Sequence, residues 1–272
     1  MRNISGRLGS RSGRVLSIVA AATFVGFVAL PVVAIFARVV GSESLGPTLG
    51  RPIVLDALRL SAITTLSALA LALLIGTPLA YLLARHRFRG HELVDSLIEL
   101  PMVLPPAVAG IGLLMAFGRW GLVGEPLATL GISIGFTTAA VVLAEAFVAA
   151  PFYVRAARSA FLAVDRELEI VSRTLGVSDW ATFWRVTVPV AFPSLLGGAV
   201  MCWARALGEF GATIMFAGSF PGRTQTMPLA IYGALESDLD AALVLSAILT
   251  IISFVVLVLL RVAVRRVGGA YG

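Results

Sequence analysis

The sequence contains no lysine, and all 21 of its Lys and Arg residues are arginine. A phosphate-binding loop of the GxxxxGK[ST] kind is therefore excluded, because that loop requires its lysine. If ATP drives this protein, another subunit must bind it. The single cysteine, Cys202, lies in an apolar run, which excludes an intrachain disulfide and indicates a small packed side chain. The two histidines, His86 and His91, share one loop and make a poor metal site, so we expect no metal here.

Charge is also scarce. Only 13% of the residues are charged, whereas about a quarter are charged in a typical soluble domain. Hydrophobic residues make up 58% and the mean hydropathy is +0.96, which indicates an integral membrane protein. A helix needs roughly 20 apolar residues to cross the hydrocarbon layer. The sequence therefore predicts an all-α protein with about six transmembrane helices, at residues 15–40, 57–84, 97–118, 132–154, 190–217 and 239–261.

The arginines are grouped in alternate connecting segments. Most of them lie in the N-terminal tail 1–14, the loop 85–91, the segment 155–185 and the C-terminal tail 262–272 with its flank. Because arginine-rich loops stay in the cytoplasm, we expect both termini there and the loop 218–238 outside. The formal net charge of +6 is spread over short clusters rather than one basic face, so we expect membrane lipid as a partner and no nucleic acid.

The third predicted span begins with several prolines and glycines. Pro105 and Pro106 follow Pro101, and Gly110 and Gly112 come shortly after. Its first turns cannot form a complete set of backbone hydrogen bonds, and irregular backbone at membrane depth is tolerated where it is buried or lines a polar path. This stretch is either a broken helix beside a substrate route or a simple proline kink.

The fifth predicted span carries ionisable residues. Arg205, Glu209 and Thr213 recur every four residues, which predicts that they share one face of a helix. Ionisable groups at this depth are costly unless they are paired or face a cavity. They form either a structural ion pair or part of the translocation path or gate.

The loop after this span contains Arg223 among threonine and glutamine residues. Arg223 could contact an anionic substrate or an acidic partner, or it could be a solvated surface arginine. The apolar stretch 228–235 that follows is too short to cross a membrane.

The segment 165–193 is the only long charged and amphipathic stretch in the chain. Apolar residues at helical spacing on both sides of Gly176 predict two short helices hinged at this glycine and lying outside the bilayer. The apolar residues Leu175, Val177, Trp180, Phe183 and Trp184 would enter a groove on a partner protein. The alternative is an amphipathic segment lying on lipid headgroups.

This segment resembles the cytoplasmic EAA loop of bacterial ABC importer permeases. In that pattern E-A-A is followed by three residues, Gly, nine residues, Ile, one residue and Leu-Pro; here Gly176 is followed at the same spacing by Val186 and by Val188-Pro189. The E-A-A positions hold Ile170, Val171 and Ser172, and Glu169 lies one place early. GTPLAYLLARHRFRG, LIELPMVLPPAVAGIGLL, ALGEFGATIMFAG and PGRTQTMPLAIY are similar to the molybdate-type permeases of the sulfate, molybdate and tungstate group.

The resemblance implies a type I ABC importer permease fold, with one transmembrane domain at 15–261 and a coupling loop at about 155–189. It also implies a homodimer in the bacterial cytoplasmic membrane, two ATPase subunits that bind ATP and Mg, and an extracytoplasmic oxyanion-binding protein. We accordingly expect no catalysis and no cofactor in this chain. The residues expected to couple to the ATPase are Glu169, Arg173, Leu175, Gly176, Val177, Ser178, Asp179, Trp180, Phe183 and Pro189.

The function implied is ATP-driven import of molybdate by alternating access. Tungstate, sulfate and thiosulfate stay open as substrates. A secondary transporter or channel would not need the coupling loop. A membrane-embedded enzyme would need clustered catalytic groups, and apart from Arg205 and Glu209 only scattered acids such as Glu99 and Glu145 occur.

Overall fold

The computed structural model describes residues 11–40 and 45–268, and these residues form helices and connecting turns with no strand. The predicted tails 1–14 and 262–272 lie partly outside the described residues. The helices are α1 (Arg11–Val40), α2 (Leu45–Leu49), α3 (Pro52–Arg85), α4 (His91–Val103), α5 (Pro106–Phe117), α6 (Gly124–Thr129), α7 (Thr138–Ala163), α8 (Arg166–Thr174), α9 (Asp179–Thr182), α10 (Val188–Leu207), α11 (Gly211–Ala217), α12 (Met227–Ser237) and α13 (Leu239–Gly268).

Five helical stretches in the described part of the chain are long and apolar enough to cross a membrane, and the bent pair α4–α5 gives a sixth if it counts as one span. This confirms the predicted all-α fold with about six spans. The chain is a multi-pass membrane protein.

Helices α3, α7 and α10 form the centre of the molecule through small residues. Alanines from all three helices, including Ala80, Ala157 and Ala191, are buried in one cluster with Tyr153 and Phe161. A Cβ added at Gly76 would lie 2.9 Å from Cγ2 of Val154, so α3 and α7 are in close contact. Small residues allow this close approach in membranes, where no hydrophobic force drives helices together.

Two further clusters complete the bundle. One joins α5, α7 and α11 through residues such as Leu113, Ala144 and Phe216. The other joins α3, α12 and α13 through Val54, Met227 and Leu245. Helix α1 packs only its last turns against α13 and keeps most of its apolar surface exposed, as expected for a helix that lies against lipid.

Candidate functional site

The segment 165–189, called the coupling segment below, contains the first group of predicted site residues. The Asp165 side chain accepts a hydrogen bond from Glu167 N at 2.9 Å and caps α8. Helix α8 ends before Gly176, whose φ of +82° reverses the chain in a conformation that favours glycine. Ser178 then caps α9, accepting from Ala181 N at 3.3 Å. Helices thus flank a turn at Gly176, as predicted, although only the first of them is a separate short helix.

Two side-chain contacts brace this turn. Arg173 Nε lies 3.0 Å from Asp179 Oδ1, and Ser172 Oγ lies 2.9 Å from Thr182 Oγ1. The Ser172–Thr182 contact is buried, while both ends of the Arg173–Asp179 pair are exposed. The helices α8 and α9 are therefore held against one another rather than joined by a free hinge.

The Glu169 side chain ties the coupling segment to the bundle. It is 4% exposed, its Oε1 lies 2.7 Å from Arg85 Nη2, and Thr187 Oγ1 donates to the same oxygen at 2.8 Å. Arg173 Nη2 is further away, at 3.8 Å from Oε2. Ile170, at the position where the family pattern places its glutamate, is 55% exposed. An inward-facing carboxylate in this chain is therefore supplied from position 169.

The aromatic residues of the coupling segment divide into an inner and an outer set. The Phe183 ring packs 4.8 Å from Tyr81 and 6.0 Å from Phe161, centroid to centroid. The partly buried Phe183 ring thus packs against this chain, and its entry into a partner stays a prediction. Leu175 and Trp180 are 78% and 72% exposed and form the outer set with the half-exposed Trp184.

The sequence predicted a separate short helix for the second half of the coupling segment, and the structure differs. A five-residue π-helical turn, Phe183–Thr187, joins α9 to α10, so that one continuous helix runs from Asp179 to Leu207. Pro189 follows this turn closely and donates no backbone N–H to it. The outer aromatic residues are thus carried on the end of a membrane-spanning helix.

The second group of predicted residues surrounds two helix breaks. Helices α4 and α5 are bent by 117° at the break before Pro106, which confirms a broken helix at this point. Helix α5 packs on α11: a Cβ added at Gly211 would lie 2.5 Å from Pro106 Cβ, and one added at Gly110 would lie 2.7 Å from the Ala212 carbonyl oxygen. The two predicted path elements are therefore in direct contact.

The expectation of one continuous helix face for Arg205, Glu209 and Thr213 is wrong. Helix α10 ends at Leu207 and α11 begins at Gly211, so Glu209 lies in the break. Its Oε2 pairs with Arg205 Nη1 at 2.8 Å, and its Oε1 accepts from Ala212 N at 2.9 Å. The carboxylate is 1% exposed. It accepts from a backbone N–H in the first turn of α11, which has no partner within that helix, and it also balances the charge of Arg205.

A further buried carboxyl lies on α7, which packs against α5 and α11, and no role was predicted for it. Glu145 of α7 is 1% exposed and accepts from Thr64 Oγ1 at 2.9 Å. Within the described part of the chain, Glu145 Oε2 and Thr213 Oγ1 have no hydrogen-bond partner. The signal available in the sequence was a lone acid inside an apolar run.

Arg223 lies in the turn between α11 and α12. Its backbone carbonyl accepts from Thr138 Oγ1 at 2.9 Å, while its side chain is exposed and has no acidic partner among the described residues. The short apolar stretch after it forms α12, whose first N–H, at Met227, donates to Ser61 Oγ at 2.8 Å. Among the residues described, no three His, Cys, Asp or Glu side chains are grouped as in a metal site.

This fold is that of the membrane subunits of ABC importers. It matches the structure of a bacterial ABC transporter involved in the import of the acidic polysaccharide alginate, with a TM-score of 0.71 at 15% identity, covering 94% of this chain and 96% of the other. It also matches the MetNI methionine ABC transporter, with a TM-score of 0.59 at 19% identity and coverage of 83% and 99%.

Sequence comparison narrows this class. Residues 76–269 match the family described as binding-protein-dependent transport system inner membrane component. The molybdenum transport system permease protein ModB of Mycobacterium tuberculosis is 45% identical, over 88% of this chain and 89% of its own length. The molybdate/tungstate transport system permease protein WtpB of Thermococcus kodakarensis is 38% identical, over 89% and 92%. The chain belongs to this inner membrane component family and, within it, to the molybdate-type ABC permeases.

Proposed function

We propose that this chain is the permease subunit of an ATP-driven importer that carries molybdate across the bacterial cytoplasmic membrane by alternating access. It works as a homodimer with two ATPase subunits, which bind ATP and Mg, and with an extracytoplasmic binding protein. Both termini and the coupling segment face the cytoplasm, and the chain itself has no catalytic role and needs no cofactor.

The observation that carries this proposal is the exposed apolar end of the Asp179–Leu207 helix. Trp180 at the start of this helix and Leu175 just before the Gly176 turn are more than two thirds exposed, although the Arg173–Asp179 and Ser172–Thr182 contacts brace that turn. An apolar side chain held rigidly outside the bundle indicates a binding surface rather than a loop. A groove on the ATPase subunit is its proposed partner.

The translocation path lies between the two copies, beside the packed breaks of α4–α5 and α10–α11. In this proposal Pro105, Pro106, Arg205, Glu209 and Thr213 line or control the gate. The guanidinium of Arg205 is 31% exposed and can donate hydrogen bonds although Glu209 balances its charge, and Arg223 in the external loop meets the binding protein or the anion. A tetrahedral oxyanion needs only hydrogen-bond donors and moderate positive charge if the binding protein supplies selectivity.

The coupling role is tested by Trp180→Glu in the chain co-expressed with its ATPase. Because a charge at this position cannot enter an apolar groove, we expect co-purification of the ATPase to be lost. Trp120→Glu is the matched control, since Trp120 is 85% exposed in a different connection and should leave the complex intact. Intact association and transport in Trp180→Glu would refute the assignment.

The substrate is tested by uptake of labelled molybdate into vesicles holding the complete transporter. Tungstate is the second candidate, because one group of relatives is named for both anions. Competition by unlabelled tungstate, sulfate and thiosulfate separates the candidates. Uptake that sulfate suppresses as strongly as molybdate does would contradict molybdate as the substrate.

A further inference from the structure

The cavity of about 840 Å³ at the end of α3 has no part in the function proposed above. It lies between the end of α3, the start of α4 and the end of α7. Its walls carry the cationic or basic side chains Arg85, His86, Arg87, His91, Arg158 and Arg166, together with the acids Glu92 and Asp95. Because α3 is a membrane-spanning helix, the cavity lies where a span leaves the bilayer.

Part of this positive charge is unpaired. Arg85 pairs with Glu169 and Arg158 with Asp95, at 2.7 Å and 2.6 Å. Arg87 and Arg166 line the cavity, are exposed and have no acidic partner among the described residues. The cavity therefore offers the unpaired guanidinium groups of Arg87 and Arg166, whose charge and N–H donors suit a phosphate.

An apolar surface continues from this cavity. Leu93 lines it and is 64% exposed, and Leu97 and Leu100 of α4 are 57% and 47% exposed. Spacings of four and three residues place these leucines on one face of the helix. A free oxyanion would make no contact with these leucines. A lipid, in contrast, requires both a charged site for its headgroup and an apolar surface for its acyl chain.

We propose that this cavity binds the headgroup phosphate of an anionic phospholipid, with the acyl chain along Leu93, Leu97 and Leu100. The guanidinium groups of Arg87 and Arg166 supply both the attraction and the hydrogen-bond donors. The bound lipid contacts Arg166, the first residue of α8, and Arg85, which pairs with Glu169 of the same helix. It thereby holds the coupling segment at the membrane surface.

The test is native mass spectrometry of the full-length chain purified with its ATPase and titrated with phosphatidylglycerol or with phosphatidylcholine of the same acyl chains. Phosphatidylglycerol should bind more tightly, and Arg87→Gln with Arg166→Gln should weaken it roughly fivefold for each arginine removed. Arg89→Gln is the matched control, because Arg89 lies in the same loop but does not line the cavity. Leu97→Gln should weaken long-chain but not short-chain phosphatidylglycerol.

Three results would overturn the proposal. The first is unchanged phosphatidylglycerol binding in the double arginine variant. The second is an equal loss in Arg89→Gln, which would indicate general surface charge. The third is displacement of the lipid by millimolar inorganic phosphate or molybdate, which would make a free oxyanion the ligand. The lipid measurement involves no transport, so it stands or falls separately from the substrate assignment.

Discussion

Arg85 and Glu169 form a buried ion pair, 2.7 Å between Nη2 and Oε1, that joins the end of a membrane-spanning helix to the first helix of the coupling segment. The two side chains are 7% and 4% exposed, and the pair is completed by the Thr187 hydroxyl at the start of the next span. One carboxylate thus fixes three helices relative to one another. Movement of the coupling segment must therefore move these spans.

Glu169→Gln should destabilise the protein by about 3–5 kcal/mol, because it leaves the buried Arg85 cation without its partner. The measurement is thermal unfolding of the purified complex in detergent. Glu167→Gln is the control, since Glu167 is exposed two residues away and should change the melting temperature little. A melting temperature of Glu169→Gln equal to that of Glu167→Gln would show that the pair is not structural.

Gly176→Ala should cost roughly 1–2 kcal/mol, because a Cβ is strained at a φ of +82° although no neighbouring atom lies within 4 Å of it. Gly197 provides the comparison. It is helical and equally free of neighbours, so Gly197→Ala should be neutral or stabilising. Denaturant unfolding of both variants measures the difference, and equal effects would mean that the turn tolerates another conformation.

Gly110→Ala should destabilise the contact between α5 and α11 by about 1–3 kcal/mol, since the added Cβ meets the Ala212 backbone and Met215 Cβ. Gly112→Ala in the same helix has no atom within 4 Å and should be tolerated. If the two breaks move together during transport, uptake will also fall in Gly110→Ala alone. Wild-type stability of Gly110→Ala would contradict the close packing.

Glu209→Gln should cost about 1–3 kcal/mol, because it removes the charged partner of Arg205 while a side-chain oxygen can still accept from Ala212 N. We also expect impaired assembly or gating. Adding Arg205→Gln should recover part of the loss, and a double-mutant cycle gives the coupling. Wild-type oxyanion uptake in the single variant would count against both a structural role and a gating role.

The approximate spans and the irregular backbone near Pro105 were predictable from the sequence, because hydropathy and proline act locally, but the choice between a broken helix and a kink required the structure. The glycine turn at Gly176 was predictable for the same reason. The break at Glu209 was not predicted, since a four-residue spacing fits a continuous helix, whereas α10 ends with Gly208 at its C-terminus and Glu209 Oε1 accepts from Ala212 N at the start of α11.

The orientation of the coupling residues also required the structure. Phe183 and Trp180 are alike in sequence terms, yet the π-helical turn and the contact with Tyr81 bring one ring inside and leave the other outside. Glu169 looked displaced against the family pattern. Its importance follows from Arg85, which is distant in sequence and could not be paired with it from composition or spacing.

The continuous helix from Asp179 to Leu207 has a mechanical consequence. Its 29 residues span about 43 Å at 1.5 Å per residue; the helix includes the π-helical turn and Pro193 but does not end before Gly208. Movement of its aromatic end, near Trp180, is therefore transmitted to its other end, where the Arg205–Glu209 ion pair bridges the break between α10 and α11. A tilt of the helix by a few degrees about one end would displace the other end by several ångströms.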